Sequence, residues 1–206
     1  RMIWLVIACP QAHVPRLAHC LGSPQHDPAC TVVVDAACHD RITDDLDTLR
    51  VTDGSHDFSL GRLWNHGLRW AYGTGATEVA VLSSDVVGHP DSLPSLASCL
   101  RGNALTMAGP SDRSRILDGA RTVHDRVPGG CFMVAAEHRL FCDEAYRWWY
   151  SDDDLEMQAR ALGPVGVFAG TGLQFSVPDS TLTPERQAWA VEDRARFVEK
   201  WGCEPW

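Results

Sequence analysis

The sequence predicts an α/β domain whose mostly parallel sheet is flanked by helices. Short apolar runs at 3–8, 31–34 and 79–82 read as strands buried on both faces, which is the pattern of a parallel sheet. Stretches of helical periodicity lie between such runs, so strand, helix and strand alternate as βαβ units. Three of the strands also stop at polar or turn-forming residues, namely Cys9-Pro10, Asp35 and Ser83-Ser84-Asp85.

Taken in order, 3–8 is the first strand and 14–21 a short helix stopped by Gly22. The β-branched run 31–34 is the second strand. Residues 43–57 are polar, with a short strand around 49–51. From 60 to 72 the apolar residues Leu60, Leu63, Trp64, Leu68 and Ala71 keep to one helical face, and Gly73 and Gly75 end the helix. Next come a strand at 79–82, a helix at 90–100 and a strand at 105–108. The stretch 111–126 is charged and poor in core residues, and Gly129-Gly130 leads into a strand at 131–135. Ser151 stands three residues before Asp154, a capping-box spacing that predicts a helix from there to Gly163. A last strand is expected at 165–168. Pro184, just after Thr183, opens a C-terminal helix with Trp189, Phe197, Val198 and Trp201 on its buried side. Without repeat or linker, 1–206 reads as a single domain.

Composition limits the function. The 206 residues suffice for one well-cored domain, and the formal charge of −9 argues against a surface built for polyanions. Eight cysteines are scattered without a Cys-x-x-Cys, several within apolar runs, which suits reduced thiols in a cytoplasmic protein better than a disulfide framework. No apolar run is long enough to span a membrane.

Ligands of open α/β sheets bind beyond the carboxyl ends of the strands. The three polar strand ends therefore outline a nucleotide-sized cleft with an acidic corner. The second concentration of chemistry is Trp148-Trp149-Tyr150-Ser151-Asp152-Asp153-Asp154, three aromatics and then three carboxylates at a helix start. Carboxylates favour that place because of the helix dipole and free N–H groups, so the run has an ordinary explanation beside a catalytic one. Successive helical residues point about 100° apart, so the three carboxylates cannot all face one cleft.

Gly61-x3-Asn65-x-Gly67-x3-Ala71, Gly75-Ala76 and Val79-Ala80-Val81-Leu82-Ser83-Ser84-Asp85-Val86 resemble the central region of GT-A glycosyltransferases of the family 2 type. Pro128-Gly129-Gly130-Cys131-Phe132-Met133 is similar to that family's glycine-led strand. Phe141-Cys142-Asp143-Glu144, Tyr150 to Leu155, Arg160 and Gly163 resemble its "FDE … YGEDxDL … R … G" block, and Phe197 to Gly202 its "F-x-x-K-W-G" ending. The order holds from about residue 3 to 202.

The resemblance implies a GT-A, Rossmann-like fold with a nucleotide-sugar half at 1–85 and an acceptor half at 86–206. It implies an inverting, metal-dependent transfer of sugar from a nucleotide-diphosphate donor, UDP-linked by default, to a hydroxyl. Asp85 becomes the expected ligand of Mn²⁺ or Mg²⁺, which take oxygen donors and few carboxylates. The family's Asp-x-Asp reads Ser83-Ser84-Asp85 here, so its first carboxylate is absent. Asp35 is expected at the base or ribose, Ala8 to Pro10 beside the base, and Asn65, Ser83 and Ser84 at the donor. Asp152 is the expected general base with Asp153 as substitute, and Asp154 matches the structural Asp. Gly130, Trp148 and Trp149 are expected at the acceptor. Many relatives add a metal-binding His near the last strand; 165–183 holds no His, and Asp179 is its only carboxylate.

The resemblance leaves a saccharide, a small molecule or a hydroxymethylated DNA base as the expected acceptor, the last because compact phage enzymes acting on such bases have a similar core. The arginines at 113, 115, 121 and 126, with Trp148-Trp149, favour nucleic acid, and the net charge opposes it. That charged stretch also suits a lid or acceptor loop, and so short a chain draws acceptor recognition from loops or from an oligomer partner. A nucleotidyltransferase would want a glycine-rich phosphate loop and a basic residue after the first strand, which Cys9-Pro10-Gln11 does not supply. An inactive nucleotide-sugar-binding or scaffold protein is the other alternative, suggested by Ser83.

Overall fold

A computed structural model describes residues 3–10, 27–36, 47–50, 59–84, 86–108, 115–117, 129–169, 171–175 and 183–205. The expected helix at 14–21, Asp85, Asp179 and Arg113, Arg121 and Arg126 lie outside the described residues.

Ten strands and four helices are described. The strands are β1 (Ile3–Pro10), β2 (Thr31–Ala36), β3 (Asp47–Arg50), β4 (Glu78–Ser83), β5 (Val86–Gly88), β6 (Leu105–Ala108), β7 (Arg115–Leu117), β8 (Cys131–Ala135), β9 (Val165–Phe168) and β10 (Leu173–Phe175). The helices are α1 (Leu60–Gly73), α2 (Ser92–Cys99), α3 (Ser151–Arg160) and α4 (Pro184–Trp201). Eight strands form one sheet in the order β3-β2-β1-β4-β8-β6-β9-β7, and β10 pairs with β5 in a small second sheet. β1 to β4 run parallel; β8 is antiparallel to β4 and β6, and β7 is antiparallel to β9. The chain builds outward from β1 through β2 to β3, then returns to place β4 on the other side of β1. That reversal makes a topological switch point at the carboxyl ends of β1 and β4, where ligands of open α/β sheets bind.

The sheet's period of two sorts side chains into two cores. Val79 and Val81 join Val32, Val34, Phe132 and Val134 beneath α1 and α3. Val33, Ala80, Leu82 and Met133 pack beneath α2 through Leu93, Leu96 and Leu100. The result is a sheet between two helical layers. α1 packs closely on the sheet. Ser59 caps it, its hydroxyl accepting from the Arg62 N–H at 3.2 Å, and Trp64 meets Phe132 edge-on with centroids 5.1 Å apart. Gly67 lets the helix approach β1 and β2: a Cβ there would collide with a Val6 methyl and stand 3.1 Å from one of Val34.

A third cluster, Tyr146, Tyr150 and Phe197 with Trp149, Met157 and Trp201, fastens α4 to the acidic run. Thr183 caps α4 as its sequence predicts, with Pro184 in the first turn and Gly202 left-handed at the end. Val198, expected on the buried side, is 37% exposed, whereas Phe197 is fully buried.

The capping box expected at Ser151 does not form. Tyr150 is the cap residue, left-handed at φ 63° and ψ 9°, with no side-chain cap bond, and Ser151 is the first helical residue. The Ser151 hydroxyl is buried without a hydrogen-bond partner among the described residues, and Asp154 makes its bonds elsewhere. Among the described residues no helix is long and apolar enough to cross a membrane. Cys30, Cys99, Cys142 and Cys203 are free thiols.

Candidate functional site

Adjacent strands bring the first set of expected residues together by register. Ala8 in β1 lies opposite Val34 on one side and Ser83 on the other, Cys9 opposite Asp35, and Pro10 opposite Ala36. One sheet edge therefore carries Ala8 to Pro10, Asp35 and Ser83. Asp35 is fully buried there.

β8 runs the other way, so its start arrives at that same edge. The Ser83 N–H donates to the Gly130 carbonyl at 2.7 Å, extending the β4–β8 pairing by one step. Gly130 has φ 93°, a conformation that favours glycine, and this turn delivers Gly129 beside the strand end. Asp152, the second residue of α3, lies directly against Gly129. A Cβ on Gly129 would overlap the Asp152 carboxylate and stand 2.7 Å from its Cγ. Ser83, Gly130, Gly129 and Asp152 thus form a chain of contacts from the end of β4 to the start of α3.

The neighbours of Asp152 point elsewhere. Asp153 is buried, and its charge bears on Tyr150, whose hydroxyl pKa is raised first by burial and then by Asp153. Asp154 is fully buried and tied on both oxygens. Oδ1 accepts from Trp201 Nε1 and pairs with Lys200 Nζ, each at 2.8 Å; Oδ2 accepts from Gln158 Nε2 at 2.8 Å and the Asp143 N–H at 3.2 Å. Burial would raise the Asp143 pKa, but hydrogen bonds from Lys200 and the Ala145 N–H, with the charges of Lys200 and Arg196, hold it below the usual value. Of the three carboxylates, Asp152 faces the sheet edge.

Three further expected residues have contacts within the fold. Asn65 is buried on α1, where its amide donates to the Cys142 carbonyl at 2.8 Å and to Glu144 at 3.0 Å while its oxygen accepts the Cys142 N–H at 2.8 Å. Its carboxamide holds the 142–144 loop, because a buried amide must satisfy both its donor and its acceptor. Trp148 and Trp149, expected as an acceptor wall, pack on α4. Arg186 lies over the Trp148 ring at 3.7 Å from its centroid, and Trp149 Nε1 donates to the Arg186 carbonyl at 2.7 Å. Arg186 thus covers one face of the buried Trp148, and the half-buried Trp149 is tied to α4 through its indole N–H.

Asp193 was not among the residues expected from the sequence. It lies on α4, is fully buried and accepts from the N–H groups of Arg147, Trp148 and Trp149. A signal existed: Asp193 falls on the same helical face as Trp189 and Phe197, and carboxylates on apolar faces are seldom idle.

Among the described residues no three His, Cys, Asp or Glu side chains gather into a metal cage. The donor set at the strand end nevertheless fits a hard cation held largely by its ligand. The Ser84 hydroxyl is buried with no hydrogen-bond partner among the described residues, and Asp85 is next to it in sequence. Mg²⁺ and Mn²⁺ accept such oxygen donors and are commonly completed by substrate phosphates.

No family model matches the sequence, and no curated protein matches it. Solved structures do match it in fold. Staphylococcus aureus TarS 1–349, also solved with UDP-GlcNAc, superposes with a TM-score of 0.61 at 12% identity over 96% of this chain, which spans 66% of that one. Glucosyl-3-phosphoglycerate synthase from Mycobacterium tuberculosis, solved with Mn²⁺, UDP and glucosyl-3-phosphoglycerate, gives 0.61 at 13% identity over 98% of this chain and 80% of its own. The mannosyltransferase PcManGT of Pyrobaculum calidifontis, with GDP-Man and Mn²⁺, gives 0.61 at 14% identity over 96% and 64%. The chain therefore has the GT-A fold of these glycosyltransferases.

Proposed function

We propose that the protein is an inverting glycosyltransferase that moves a sugar from a nucleotide-diphosphate donor, UDP-linked by default, to a hydroxyl acceptor. The observation that carries this reading is the placement of the Asp152 carboxylate against Gly129, beside the strand end that bears Ser83 and Ser84. Similarity in fold to UDP-sugar and GDP-mannose enzymes solved with Mn²⁺ supports it.

In this reading residues 1–85 hold the donor and 86–206 present the acceptor and the base. Ala8 to Pro10 border the base of the nucleotide. Asp35 reads its base or ribose from a buried strand end, where a hydrogen bond gains from the low dielectric. Ser83, the Ser84 hydroxyl and the Asp85 carboxylate serve the pyrophosphate end and its Mn²⁺ or Mg²⁺. When bound, that cation neutralises charge on the departing diphosphate. Asp152 accepts the proton of the acceptor hydroxyl as its oxygen attacks the anomeric carbon from the face opposite the diphosphate. The new C–O bond forms, the bond from the anomeric carbon to the phosphate oxygen breaks, and UDP leaves with the electron pair. Asp153 is the substitute only if Asp152 proves dispensable.

Arg186 covers one face of the buried Trp148, which counts against stacking of a DNA base there. A saccharide or small hydroxylated molecule is the better acceptor, approached along Gly130. Free thiols at Cys30, Cys99, Cys142 and Cys203 suit a cytoplasmic enzyme.

Titration with UDP and UDP-sugars, with and without Mn²⁺, and then assay of slow UDP release, tests this reading. Metal-dependent binding with release is expected. Asp85→Ala should weaken Mn²⁺-dependent UDP binding by roughly tenfold to a hundredfold, the scale seen when a metal-site partner is lost; undiminished binding removes Asp85 from the metal site. Binding of intact donor without turnover, whatever the acceptor, would favour the inactive nucleotide-sugar-binding protein that Ser83 suggests.

A further inference from the structure

The turn that launches the acidic run is built around a carboxylate from another helix. Asp193 lies in mid-α4, fully buried. Both of its oxygens stand 3.1 Å from the Arg147 nitrogen, and Oδ2 also accepts from the Trp148 and Trp149 N–H groups at 3.0 Å each. Three successive backbone amides converging on one anion make the concavity that proteins commonly offer to a ligand. Here the chain fills it with its own side chain. Arg196 Nη1, 3.5 Å from Oδ1, is a nearby positive charge.

The residues just past this nest decide where Asp152 sits. Tyr150 takes the left-handed conformation that non-glycine residues seldom adopt, and its carbonyl accepts the Asp154 N–H at 2.8 Å to begin α3. Asp152 is therefore two residues beyond Tyr150, in a run whose preceding amides, those of 147–149, are all committed to Asp193. On the far side of Asp152, Asp154 is fastened to Lys200 and Trp201 of the same α4. The half-buried Asp152 is thereby clamped on both flanks by α4 while its carboxylate rests against Gly129.

We propose that Asp193 is a positioning residue for sugar transfer: by gathering the amides of 147–149 it sets the pose of the Asp152 carboxylate at the sheet edge. The proposal rests on the reading of Asp152 as the base. Asp193 sits in α4, behind the acidic run, and nucleotide binding at the strand ends does not call on it. Its effect belongs to turnover and not to donor affinity.

Asp193→Asn puts an N–H₂ where an acceptor is needed, and Asp193→Glu keeps the charge while displacing the nest by one methylene. Each variant is compared with the wild-type protein by circular dichroism, by titration with UDP and Mn²⁺, by UDP release from UDP-glucose and UDP-N-acetylglucosamine, and by amide exchange. The expected result is a folded protein with UDP affinity within about twofold of wild type, faster exchange at 147–149, and turnover lower by roughly tenfold to a hundredfold, since misplacement of a catalytic group by about 1 Å has that cost. Wild-type protein that neither binds UDP nor releases it from these donors overturns the transferase reading itself. A wild type that turns over and loses activity through Asp152→Asn, beside Asp193 variants of unchanged turnover, overturns the positioning role alone. Parallel loss of UDP affinity and turnover, or failure of both variants to fold, makes Asp193 a general stabiliser and equally overturns it.

Discussion

Asp152→Asn is expected to lower sugar transfer by about 10²- to 10⁴-fold, the usual contribution of a general base. Mn²⁺-dependent UDP affinity should stay within about twofold, since a residue that serves the acceptor hydroxyl is not needed to hold the nucleotide. The amide is isosteric, so the contact with Gly129 survives and the loss is one of basicity. Steady-state UDP release and calorimetric UDP titration measure the two quantities separately. A fall in both would move Asp152 from the base to the donor site. Gly129→Ala approaches the same group from the other side. The added methyl claims space occupied by the Asp152 carboxylate, so turnover should drop by at least about tenfold through misplacement of the base, with UDP affinity again retained. Unchanged turnover in the alanine variant would mean that the carboxylate's present place is not its working place.

Asp154→Ala should be the most destabilising substitution in the acidic run, by about 3–5 kcal/mol, because it removes one partner of a buried charged network. Trp201 Nε1, Gln158 Nε2 and the Asp143 N–H would lose an acceptor, and Lys200 would lose one of its two carboxylate partners, keeping Asp143. Denaturant unfolding checks the size, with Asp152→Asn as the neighbouring control. Asp152 is half-buried at the cleft, so its variant should unfold near the wild-type midpoint. Equal destabilisation of the two would show that the run acts as a helix start throughout, without division of labour between its carboxylates.

That division was only partly legible in the sequence. The strands at 31–34, 79–82 and 131–135 announce themselves as unbroken apolar runs, and α1 by a one-sided apolar stripe with glycines at its end. These are local patterns, and the fold preserves them. β5, β7 and β10 have three residues each, too few to show a period, and they exist because a neighbouring strand supplies the hydrogen bonds. The capping box failed for a related reason. Ser151 and Asp154 have the right spacing, yet α4 offers Asp154 the indole N–H of Trp201 and the ammonium of Lys200, and Asp193 has already set the preceding turn. Tertiary partners outcompeted a local cap.

The site divides along the same line. Strand ends are local, so Ala8 to Pro10, Asp35 and Ser83 could be read from sequence as one edge, and the register brings them together. The burial of Asn65 against the 142–144 loop and of the two tryptophans against α4 depends on contacts between distant segments. Polar and aromatic residues beside a cleft carry no mark that separates binding from bracing until their partners are known.

The most direct test is a structure of the protein with Mn²⁺ and an intact, slowly turned-over UDP-sugar. An acceptor oxygen must fit between base and anomeric carbon at about 3 Å from each. The Asp152 carboxylate should accordingly lie roughly 5–6 Å from the anomeric carbon, on the face opposite the diphosphate, with the diphosphate at Ser83 to Asp85. A donor bound away from the strand ends, or one whose anomeric carbon presents its diphosphate face to Asp152, would contradict the account.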